Sequence, residues 1–346
     1  MEGAVTSMRR VVIYPGQIAV ETADIPAPGP NEALVRALVA GVCGSDLHAA
    51  HGRHPFVALP YRPGHEVVGV VEATGSAAAG VIPGQRVTVL PYLPCWACKM
   101  CTSGRENLCE NLGFFGCGHL QGGMAEHFTL PANRLFPVPD TLDDHGAALI
   151  EPLATPVHAV RLAGDVAGRS VAVLGAGTIG LLTLAVLRAH GAGMVISTDP
   201  NPGKRARAAA LGADATIDAT TPDVADQVRK ALGGSADVVF DCVGVQSSMD
   251  QAIAMADKGG TVVVVGVPAR PVTVPLPIVQ DHQIRIQGSA TYLPEDFRES
   301  ADLLRTGVVK TGDFVTATRP LAQAAEAFEL ASSGNHVKVL VTVAER

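Results

Sequence analysis

Four of the seven cysteines lie close together in one short segment of the chain. Two residues separate Cys95 from Cys98 and Cys98 from Cys101, and Cys109 follows after seven more. Four thiolates at this spacing can close a tetrahedral shell around zinc, with no position left open for substrate. An iron–sulfur cluster also takes four cysteines, but its usual ligand spacings differ from this one. The spacing therefore predicts a structural metal site in a loop that cannot build its own core.

A second group of metal-binding residue types lies earlier in the chain. Cys43 is part of the segment GVCGSDLH, and His65 and Glu66 follow about twenty residues later in PGHE. An incomplete shell of such ligands leaves room on zinc for water or substrate. Each residue alone is unremarkable, since a lone cysteine is more often a small buried hydrophobe. The group becomes informative in combination with a nucleotide-binding pattern.

That pattern is a glycine-rich turn between a strand-like run and a helix-like run. The turn consists of Gly175, Ala176, Gly177, Thr178, Ile179 and Gly180. Its glycines permit a tight turn, close approach of the backbone to a pyrophosphate, and close packing of helix on strand. Asp199 ends the next strand-like run, where a carboxylate binds ribose hydroxyls and repels a 2′-phosphate. The turn thus predicts a dinucleotide site in which Asp199 favours NAD, and the nearby cations of Lys204 and Arg205 leave NADP open.

The elements that must position these groups change character along the chain. Up to about residue 150, short β-prone runs lie between glycine and proline turns. From about residue 168, strand-like and helix-like runs alternate, which indicates βαβ units and a parallel sheet. Helices are predicted at 178–190, 203–211, 222–232 and 246–257, with two more helical segments and a final strand in the tail. The predicted fold class is α/β, with a β-rich part and a doubly wound parallel sheet.

Length and composition limit the classes of protein to which the chain can belong. Its 346 residues suggest about two domains, and the 47% hydrophobic and 17% charged content excludes a disordered chain. The net charge of −7 gives no support for nucleic-acid binding. An odd cysteine count without an apolar leader predicts a cytoplasmic protein with reduced thiols. Eighteen uncharged residues follow Arg169, but glycines divide them into a strand and a helix, so no membrane span is expected.

Taken together, the motifs resemble those of the zinc-dependent medium-chain dehydrogenases/reductases, the alcohol and polyol dehydrogenase family. The segments that occur in that family's order are GVCGSDLH, PGHE, GQRVTV, the four-cysteine segment, GGMAEH, LIEPLATPVHAV, GAGTIG, DCVG and GSATY. They cover essentially the whole chain. Glu151 stands where liver-type enzymes carry a ligating cysteine, so the chain is most similar to the sorbitol, butanediol and threonine dehydrogenases.

The resemblance implies two domains. A GroES-like, β-rich catalytic domain would comprise residues 1–153 and 290–346, and a Rossmann NAD-binding domain would comprise residues 154–289. It also implies two zinc ions, one catalytic and one structural. The structural ion would be held by the four clustered cysteines. Members of the family form homo-oligomers, so a tetramer or a dimer is expected.

The resemblance also assigns roles around the catalytic zinc. Cys43 and His65 would bind the metal, and Glu66 would be a third or an exchanging ligand. Glu151 would bind the metal directly or through its water. Asp46 would hydrogen-bond His65 and fix its tautomer.

Other positions of the family line the proton path and the coenzyme. Ser45 would take the proton from the alcohol, and His48 would pass it to solvent. The nicotinamide pocket would be lined by Val243, Gly244, Gly266 and Val267. Lys338 matches a recurrent basic position without an assigned role. Pocket candidates by position alone are Phe56, Phe115 and Cys117. For His51 and His54, which follow the relay segment, a solvated loop is favoured over a place at the substrate entrance.

The implied activity is hydride transfer between NAD and a secondary alcohol or polyol, and the partner is a small-molecule alcohol or ketone. Two carboxylates at the metal make it harder than two thiolates would, which favours adjacent oxygens and hence a vicinal diol. Three alternatives stay open: a threonine-type amino-alcohol dehydrogenase, a biosynthetic ketone reductase, and an idle nucleotide-binding scaffold. A scaffold has no need of a proton relay.

Overall fold

The computed structural model describes residues 6–52 and 57–344. The chain divides into two compact units. The first comprises Met1–Pro152 with Ser300–Arg346, and the second comprises Leu153–Glu299. We call them the zinc unit and the coenzyme unit, after the motifs that each contains.

Seventeen strands occur in the described ranges. They are β1 (Ser7–Tyr14), β2 (Gln17–Asp24), β3 (Glu32–Gly41), β4 (Glu66–Thr74), β5 (Arg86–Val89), β6 (Tyr92–Leu93), β7 (Gly113–Phe114), β8 (His127–Pro131), β9 (Leu135–Pro137), β10 (Val171–Leu174), β11 (Val195–Thr198), β12 (Ala215–Ile217), β13 (Ala236–Asp241), β14 (Ala256–Val264), β15 (Arg285–Gly288), β16 (Val315–Pro320) and β17 (Lys338–Thr342).

Twelve α-helices are found in the same part of the chain. They are α1 (Gly44–Ala50), α2 (Lys99–Thr102), α3 (Asp144–Ala147), α4 (Ile150–Ala163), α5 (Thr178–Ala189), α6 (Pro202–Ala210), α7 (Val224–Leu232), α8 (Gln246–Met255), α9 (Leu276–Asp281), α10 (Pro294–Arg305), α11 (Thr311–Phe314) and α12 (Ala324–Ser332).

The zinc unit is built on a seven-stranded sheet. Its strand order is β16-β17-β3-β4-β5-β9, and β8 also pairs with β3. The long valine-rich strands β3 and β4 supply its centre, and side chains such as Val35, Val67 and Phe128 are buried in its core. Because β17 comes from the C-terminal tail and pairs antiparallel with β3, the two ends of the chain complete one sheet.

The coenzyme unit contains the predicted parallel sheet. All six strands are parallel, in the order β12-β11-β10-β13-β14-β15. This is the classic dinucleotide-binding order, in which the direction of winding reverses beside the first strand, here β10. Every residue of β10 and β11 is buried, as expected for strands covered on both faces. The α/β fold class is confirmed.

The uncharged run after Arg169 is a strand followed by a helix, β10 and α5, as the glycines predicted. The helices predicted at 178–190, 203–211, 222–232 and 246–257 correspond to α5, α6, α7 and α8, with ends that differ by up to two residues. The tail contains a strand that the sequence did not indicate, β16, which pairs with β17. Its alternating exposure explains why no continuous apolar run marked it.

The coenzyme unit ends at Glu299, beyond the boundary predicted at 289/290. The first half of α10 is held to this unit by polar contacts with α4. The Asp296 carboxylate accepts hydrogen bonds from the His158 ring at 2.9 Å and from Arg161 at 2.8 Å. Buried polar partners of this kind lie far apart in sequence, so a boundary drawn from motifs misses them.

Candidate metal centres and coenzyme site

The first candidate metal centre forms where β3 ends and β4 begins. In the antiparallel register Gly41 lies opposite Glu66, so the residues after β3 meet the residues that open β4. Cys43 caps the N-terminus of α1, and His65 immediately precedes β4. Metal-binding atoms of Cys43, His65 and Glu66 all lie within 4.8 Å of one another. The sheet thus brings together three of the four residues predicted to surround a catalytic zinc.

The ring of His65 is buried and fixed in one orientation. Its Nδ1 lies 3.3 Å from the carbonyl oxygen of Gly116. Because a carbonyl oxygen only accepts hydrogen bonds, this contact requires the proton to be on Nδ1. That tautomer leaves Nε2 free to bind a metal. Burial lowers the pKa of His65, but the neighbouring Cys43, Asp46 and Glu151 more than offset this and hold it well above its usual range. A metal ligand must be the neutral imidazole, so metal binding would oppose this rise in pKa.

Asp46 has a different partner from the one predicted. No hydrogen bond joins it to His65 in the ranges that the structure describes. Its buried carboxylate instead accepts from the Tyr61 hydroxyl at 2.7 Å and from the backbone N–H of Cys43 at 3.0 Å. Burial raises the pKa of Asp46, although the charge of His65 lowers it. The orienting partner of the His65 ring is thus the Gly116 carbonyl, while Asp46 fixes the backbone of Cys43.

Glu66 is paired with a buried lysine. The ammonium nitrogen of Lys338 lies 2.6 and 2.7 Å from the two carboxylate oxygens and 3.2 Å from the carbonyl oxygen of Val42. The side chains are 3% and 0% exposed, so water does not screen the pair. Burial lowers the pKa of Lys338, but Glu66 and then Cys43 raise it above its usual value. Glu66 would have to give up part of this ion pair to bind a metal.

The remaining carboxylate of the predicted ligand set, Glu151, lies in the first turn of α4 and is buried. It does not belong to the cluster defined by Cys43, His65 and Glu66. Its negative charge nonetheless contributes to raising the pKa of both His65 and Lys338. This position suits a ligand that acts through a water or after a small movement.

The predicted relay residues lie on one short helix. Ser45 is in the first turn of α1, and its buried Oγ makes no hydrogen bond of normal geometry in the described chain, although it lies near enough to the Cys117 thiol to lower the pKa of that group. His48 lies one turn later and is exposed. An orphaned hydroxyl beside a metal cluster fits a substrate hydroxyl that would complete its hydrogen bonding. His54 and Phe56 lie outside the described residues.

Of the pocket candidates that follow the four-cysteine segment, one is a core residue and one lies near the metal cluster. Phe115 is fully buried in the core and packs on Phe128, with ring centroids 4.9 Å apart. Its neighbour Phe114, which the sequence did not single out, forms a T-shaped pair with the His65 ring, with centroids 5.7 Å apart. Burial raises the pKa of the Cys117 thiol to about 11, and the charge of His65 lowers it. Cys117 thus lies near the metal cluster, whereas Phe115 is a core residue.

The second candidate metal centre is the four-cysteine segment. Its four sulfur atoms all lie within 4.8 Å of one another, and none is in a disulfide. The Sγ of Cys98 is 3.5 Å from that of Cys101 and 3.9 Å from that of Cys109. Tetrahedral zinc with its usual Zn–S bonds places sulfurs about 3.8 Å apart. The sulfur atoms of the segment therefore lie at the spacing that a tetrahedral zinc ion requires.

Backbone N–H groups point at these sulfurs. The Sγ of Cys109 accepts from the N–H of Cys95 at 3.2 Å and from that of Asn111 at 3.3 Å. Backbone hydrogen bonds lower the pKa of Cys98 to about 6, whereas burial raises that of Cys101 to about 12. Thiolates are thus partly stabilised by the fold, and a cation is needed to ionise the whole set.

The glycine-rich turn adopts the geometry that its pattern predicts. Gly175 has a φ of 89°, and a side chain at Gly180 would collide with the Gly175 carbonyl, so helix α5 packs directly on the turn. Gly177 precedes α5 as its cap, followed by Thr178 and Ile179 in the first turn. Backbone N–H groups at the start of a helix are donors suited to phosphate oxygens.

Asp199 follows β11 and is joined to the turn. One carboxylate oxygen accepts from the N–H of Ala176 at 2.9 Å, and the other accepts from the N–H of Asn201 at 2.8 Å. The Arg205 guanidinium is turned towards the backbone carbonyl of Asp199, at 2.7 Å. Lys204 contributes its N–H to the Asn201 cap at 3.1 Å and lies within helix α6. The negative charge of the Asp199 carboxylate is therefore the main charge at this end of the turn.

The segments predicted to contact nicotinamide are close neighbours. Gly244 has a φ of 73°, and a Cβ there would lie 2.8 Å from the carbonyl oxygen of Gly266. Val243 and Val267 are 43% and 64% exposed, so apolar side chains at this edge are open to a ligand. The carboxylate of Asp241, which the sequence did not identify, accepts from the N–H groups of Val243 and Gly244, both at 3.0 Å.

Known proteins share both halves of this arrangement. Residues 29–140 match the alcohol dehydrogenase GroES-like domain, and residues 178–306 match the zinc-binding dehydrogenase family. L-galactonate-5-dehydrogenase of Escherichia coli K12 is 36% identical over 316 residues, 91% of this chain and 92% of that protein. Sorbitol dehydrogenase of Ovis aries is 34% identical over 343 residues, 98% and 97% of the two chains. The chain belongs to the zinc-dependent medium-chain alcohol and polyol dehydrogenases.

A solved structure of this dehydrogenase family supports the same conclusion. An NADP-bound structure from Sinorhizobium meliloti 1021, described as a zinc-binding dehydrogenase, is 36% identical with a TM-score of 0.91. The match covers 98% of this chain and 100% of that one. The prediction of a GroES-like part and a Rossmann part is confirmed, and the chain is an oxidoreductase of a family that uses zinc and a nicotinamide coenzyme. Among its described helices, none is long and apolar enough to cross a membrane.

Proposed function

We propose that this dehydrogenase transfers a hydride between NAD and a secondary alcohol or polyol, with a vicinal diol favoured. The observation that carries the proposal is the cluster of Cys43, His65 and Glu66 beside the unpartnered hydroxyl of Ser45. A metal site with an incomplete protein shell next to an unsatisfied hydroxyl is suited to binding and deprotonating an alcohol. A nucleotide-binding scaffold would need neither feature.

Each residue of the site has a defined task in this proposal. Zinc, held by Cys43 and His65, would supply Lewis acidity that makes a substrate hydroxyl easier to deprotonate. The Ser45 hydroxyl accepts the substrate proton as it donates its own towards His48. His48, being exposed, releases that proton to solvent, since an imidazole titrates near neutral pH. Glu66 and Glu151 add negative charge near the metal.

The preference for a polyol rests on the charges at the metal and on the relatives. Two carboxylates beside one thiolate favour hard oxygen donors, such as two adjacent hydroxyls. The relatives named above act on galactonate and sorbitol, which carry adjacent hydroxyls. Amino-alcohol oxidation of the threonine type and ketone reduction use the same site residues, so substrate tests must separate them.

A coenzyme-linked absorbance screen tests this function directly. The panel contains vicinal diols, sugar alcohols, threonine and simple secondary alcohols with NAD, and the matching ketones with NADH. We expect the highest kcat/KM with a polyol or vicinal diol. Turnover of threonine alone would mean that the substrate is an amino alcohol rather than a polyol. If the zinc-loaded protein turned over none of these compounds, the proposed substrate range would be wrong.

The choice of NAD follows from Asp199. Its carboxylate is held against the turn by the N–H groups of Ala176 and Asn201, where it would bind ribose hydroxyls and repel a 2′-phosphate. The S. meliloti relative was solved with NADP, so coenzyme choice is tested on this chain itself. Gly175, Gly177, Gly180, Val243, Gly244, Gly266 and Val267 complete the proposed coenzyme site, together with Thr178, Ile179 and Lys204.

We expect Asp199→Ser to raise the KM for NAD and to lower the preference for NAD over NADP by about tenfold or more. The reason is that the variant loses both the ribose contact and the repulsion of a 2′-phosphate. The measurement is kcat/KM for both coenzymes at one saturating substrate concentration. The exposed Asp226→Ser in α7 is the matched control and leaves the ratio unchanged. An unaltered ratio in Asp199→Ser would exclude the proposed ribose role.

We propose that the chain holds two zinc ions with different tasks. The Cys43 cluster would hold the catalytic ion, and Cys95, Cys98, Cys101 and Cys109 would hold the structural one. The support is geometric, since four thiolates leave no position for substrate whereas the other cluster leaves its shell open. The zinc unit would then be the catalytic domain and the coenzyme unit the NAD domain.

We also propose a homo-oligomer that forms through β15. This strand pairs only with β14 in the described chain and ends the sheet. Exposed apolar side chains lie on and near it: Leu276, Ile278 and Ile286. An open edge with apolar neighbours favours pairing with the same strand of a second copy. We expect sedimentation to show a dimer or tetramer and Ile286→Lys to shift it to smaller species, while a monomeric parent chain would contradict the proposal.

A further inference from the structure

Arg134 is a buried cation with no carboxylate partner in residues 6–52 and 57–344. It is 5% exposed, and it ends a short 3₁₀ turn, Ala132–Arg134, between β8 and β9. Its Nε donates to the carbonyl of Asn133 at 3.0 Å, while its Nη1 is buried without a partner in the described ranges. An arginine does not lose its charge, so burying it is costly unless negative charge compensates.

The guanidinium lies over two aromatic rings of the four-cysteine region. Its carbon Cζ is 5.2 Å from the ring centroid of Tyr92 and 4.9 Å from that of Trp96. Ring faces attract cations, but each such contact compensates only part of the desolvation of a full charge. Full compensation would therefore require further negative charge near the guanidinium.

Trp96 shows where that charge would be. It stands directly after Cys95 and two residues before Cys98, and its backbone has a φ of 59°, a conformation that a bulky residue rarely adopts. Trp96 is 51% exposed, so burial of its side chain alone does not explain the strained backbone. Backbone N–H groups of Ala97 and Cys98 bond to the Cys95 sulfur across this turn, and the contact with Arg134 joins the ligand loop to a fixed positive charge.

We infer that Arg134, through Trp96, is the positioning residue that balances the charge of the metal-loaded four-cysteine segment. Four thiolates and one divalent zinc carry a net charge of −2, and the buried guanidinium opposes it through a medium that screens weakly. Without zinc only part of the set is ionised, so Arg134 has a weaker partner. The inference rests on the proposed structural zinc and adds to it a residue that no ligand pattern contains.

Removing the charge should therefore have opposite effects in the two metal states. Arg134→Met keeps an apolar side chain of similar length. In the zinc-loaded protein it loses the attraction, so we expect zinc to leave for a colorimetric chelator about tenfold faster. In the zinc-free protein it removes a buried cation that is only partly compensated, so we expect thermal stability equal to or above that of the unsubstituted chain. A purely structural role of Arg134 would destabilise both states alike.

The experiment uses full-length protein in a Cys43→Ala background, so that only the four-cysteine site holds zinc. Trp96 is the one tryptophan of the chain, so its fluorescence reports this site while the chelator reports release. Arg134→Lys keeps the charge and should retain zinc nearly as long as the parent. Arg105→Met removes an exposed arginine of the same segment and should change nothing.

Three results would separate the possible failures. If the parent holds no zinc and Trp96 fluorescence ignores the chelator, the structural zinc site itself is wrong. If the parent holds zinc but Arg134→Met releases it at the same rate, only the role of Arg134 is wrong. If Arg134→Met does not fold, Arg134→Lys is the deciding variant. Zinc release as slow as in the parent supports a role for the positive charge. Release about tenfold faster, although the charge is retained, overturns that role.

Discussion

Replacing Cys43 by alanine is expected to lower turnover by roughly a thousandfold or more while NAD still binds. Cys43 supplies the only thiolate among the three clustered ligands, and its loss leaves His65 with Glu66, which is already paired with Lys338. The remaining groups cannot hold zinc tightly enough to activate an alcohol. The coenzyme turn belongs to the other unit of the fold and keeps its own contacts.

Three measurements check this result. Steady-state rates give the loss of turnover. The zinc content should fall from about two ions per chain to about one. Titration with NADH should give a nearly unchanged Kd. Cys117→Ala is the matched control, because it removes a thiol near the same cluster that is not a proposed ligand. Its zinc content should equal that of the parent. Full turnover by Cys43→Ala, or loss of zinc from Cys117→Ala alone, would mean that the ligand set is misassigned.

Local patterns made much of this architecture predictable. The turn around Gly175 and the cysteine spacing each lie within a few residues, so backbone geometry alone determines what they form. Alternation of strands and helices gave the parallel sheet for the same reason. Cys43 and His65 are farther apart in sequence, so the family resemblance rather than a local pattern grouped them, and their ligand atoms lie within 4.8 Å of one another.

Long-range partners were harder to predict. Lys338 and Glu66 are 272 residues apart, and only the register of β17 on β3 and of β3 on β4 brings them together. The Gly116 carbonyl, which orients His65, is a backbone atom and leaves no mark in side-chain patterns. Asp46 was assigned to His65 by analogy, whereas the structure gives its oxygens to Tyr61 and to a backbone N–H.

The Lys338–Glu66 pair leads to a second large expected effect. Lys338→Met should lower the free energy of unfolding by about 3–5 kcal/mol, because it leaves the fully buried Glu66 carboxylate without its partner. Glu66→Gln should be destabilising by a similar mechanism, since it leaves the ammonium group of Lys338 uncompensated. Arg36→Met is the matched control. It breaks a half-exposed ion pair with Glu72 on the same sheet and should cost no more than about 1 kcal/mol.

The double variant Lys338→Met/Glu66→Gln distinguishes this pair from ordinary packing. When both charges are removed together, no uncompensated ion remains, so we expect most of the lost stability to return. Denaturant unfolding of the zinc-loaded proteins gives the four values needed for the cycle. Additive losses would show that the two residues stabilise the sheet independently. A recovered double variant would show that Lys338 is required mainly because Glu66 is charged, and Glu66 would then be retained for its negative charge beside the metal rather than for stability.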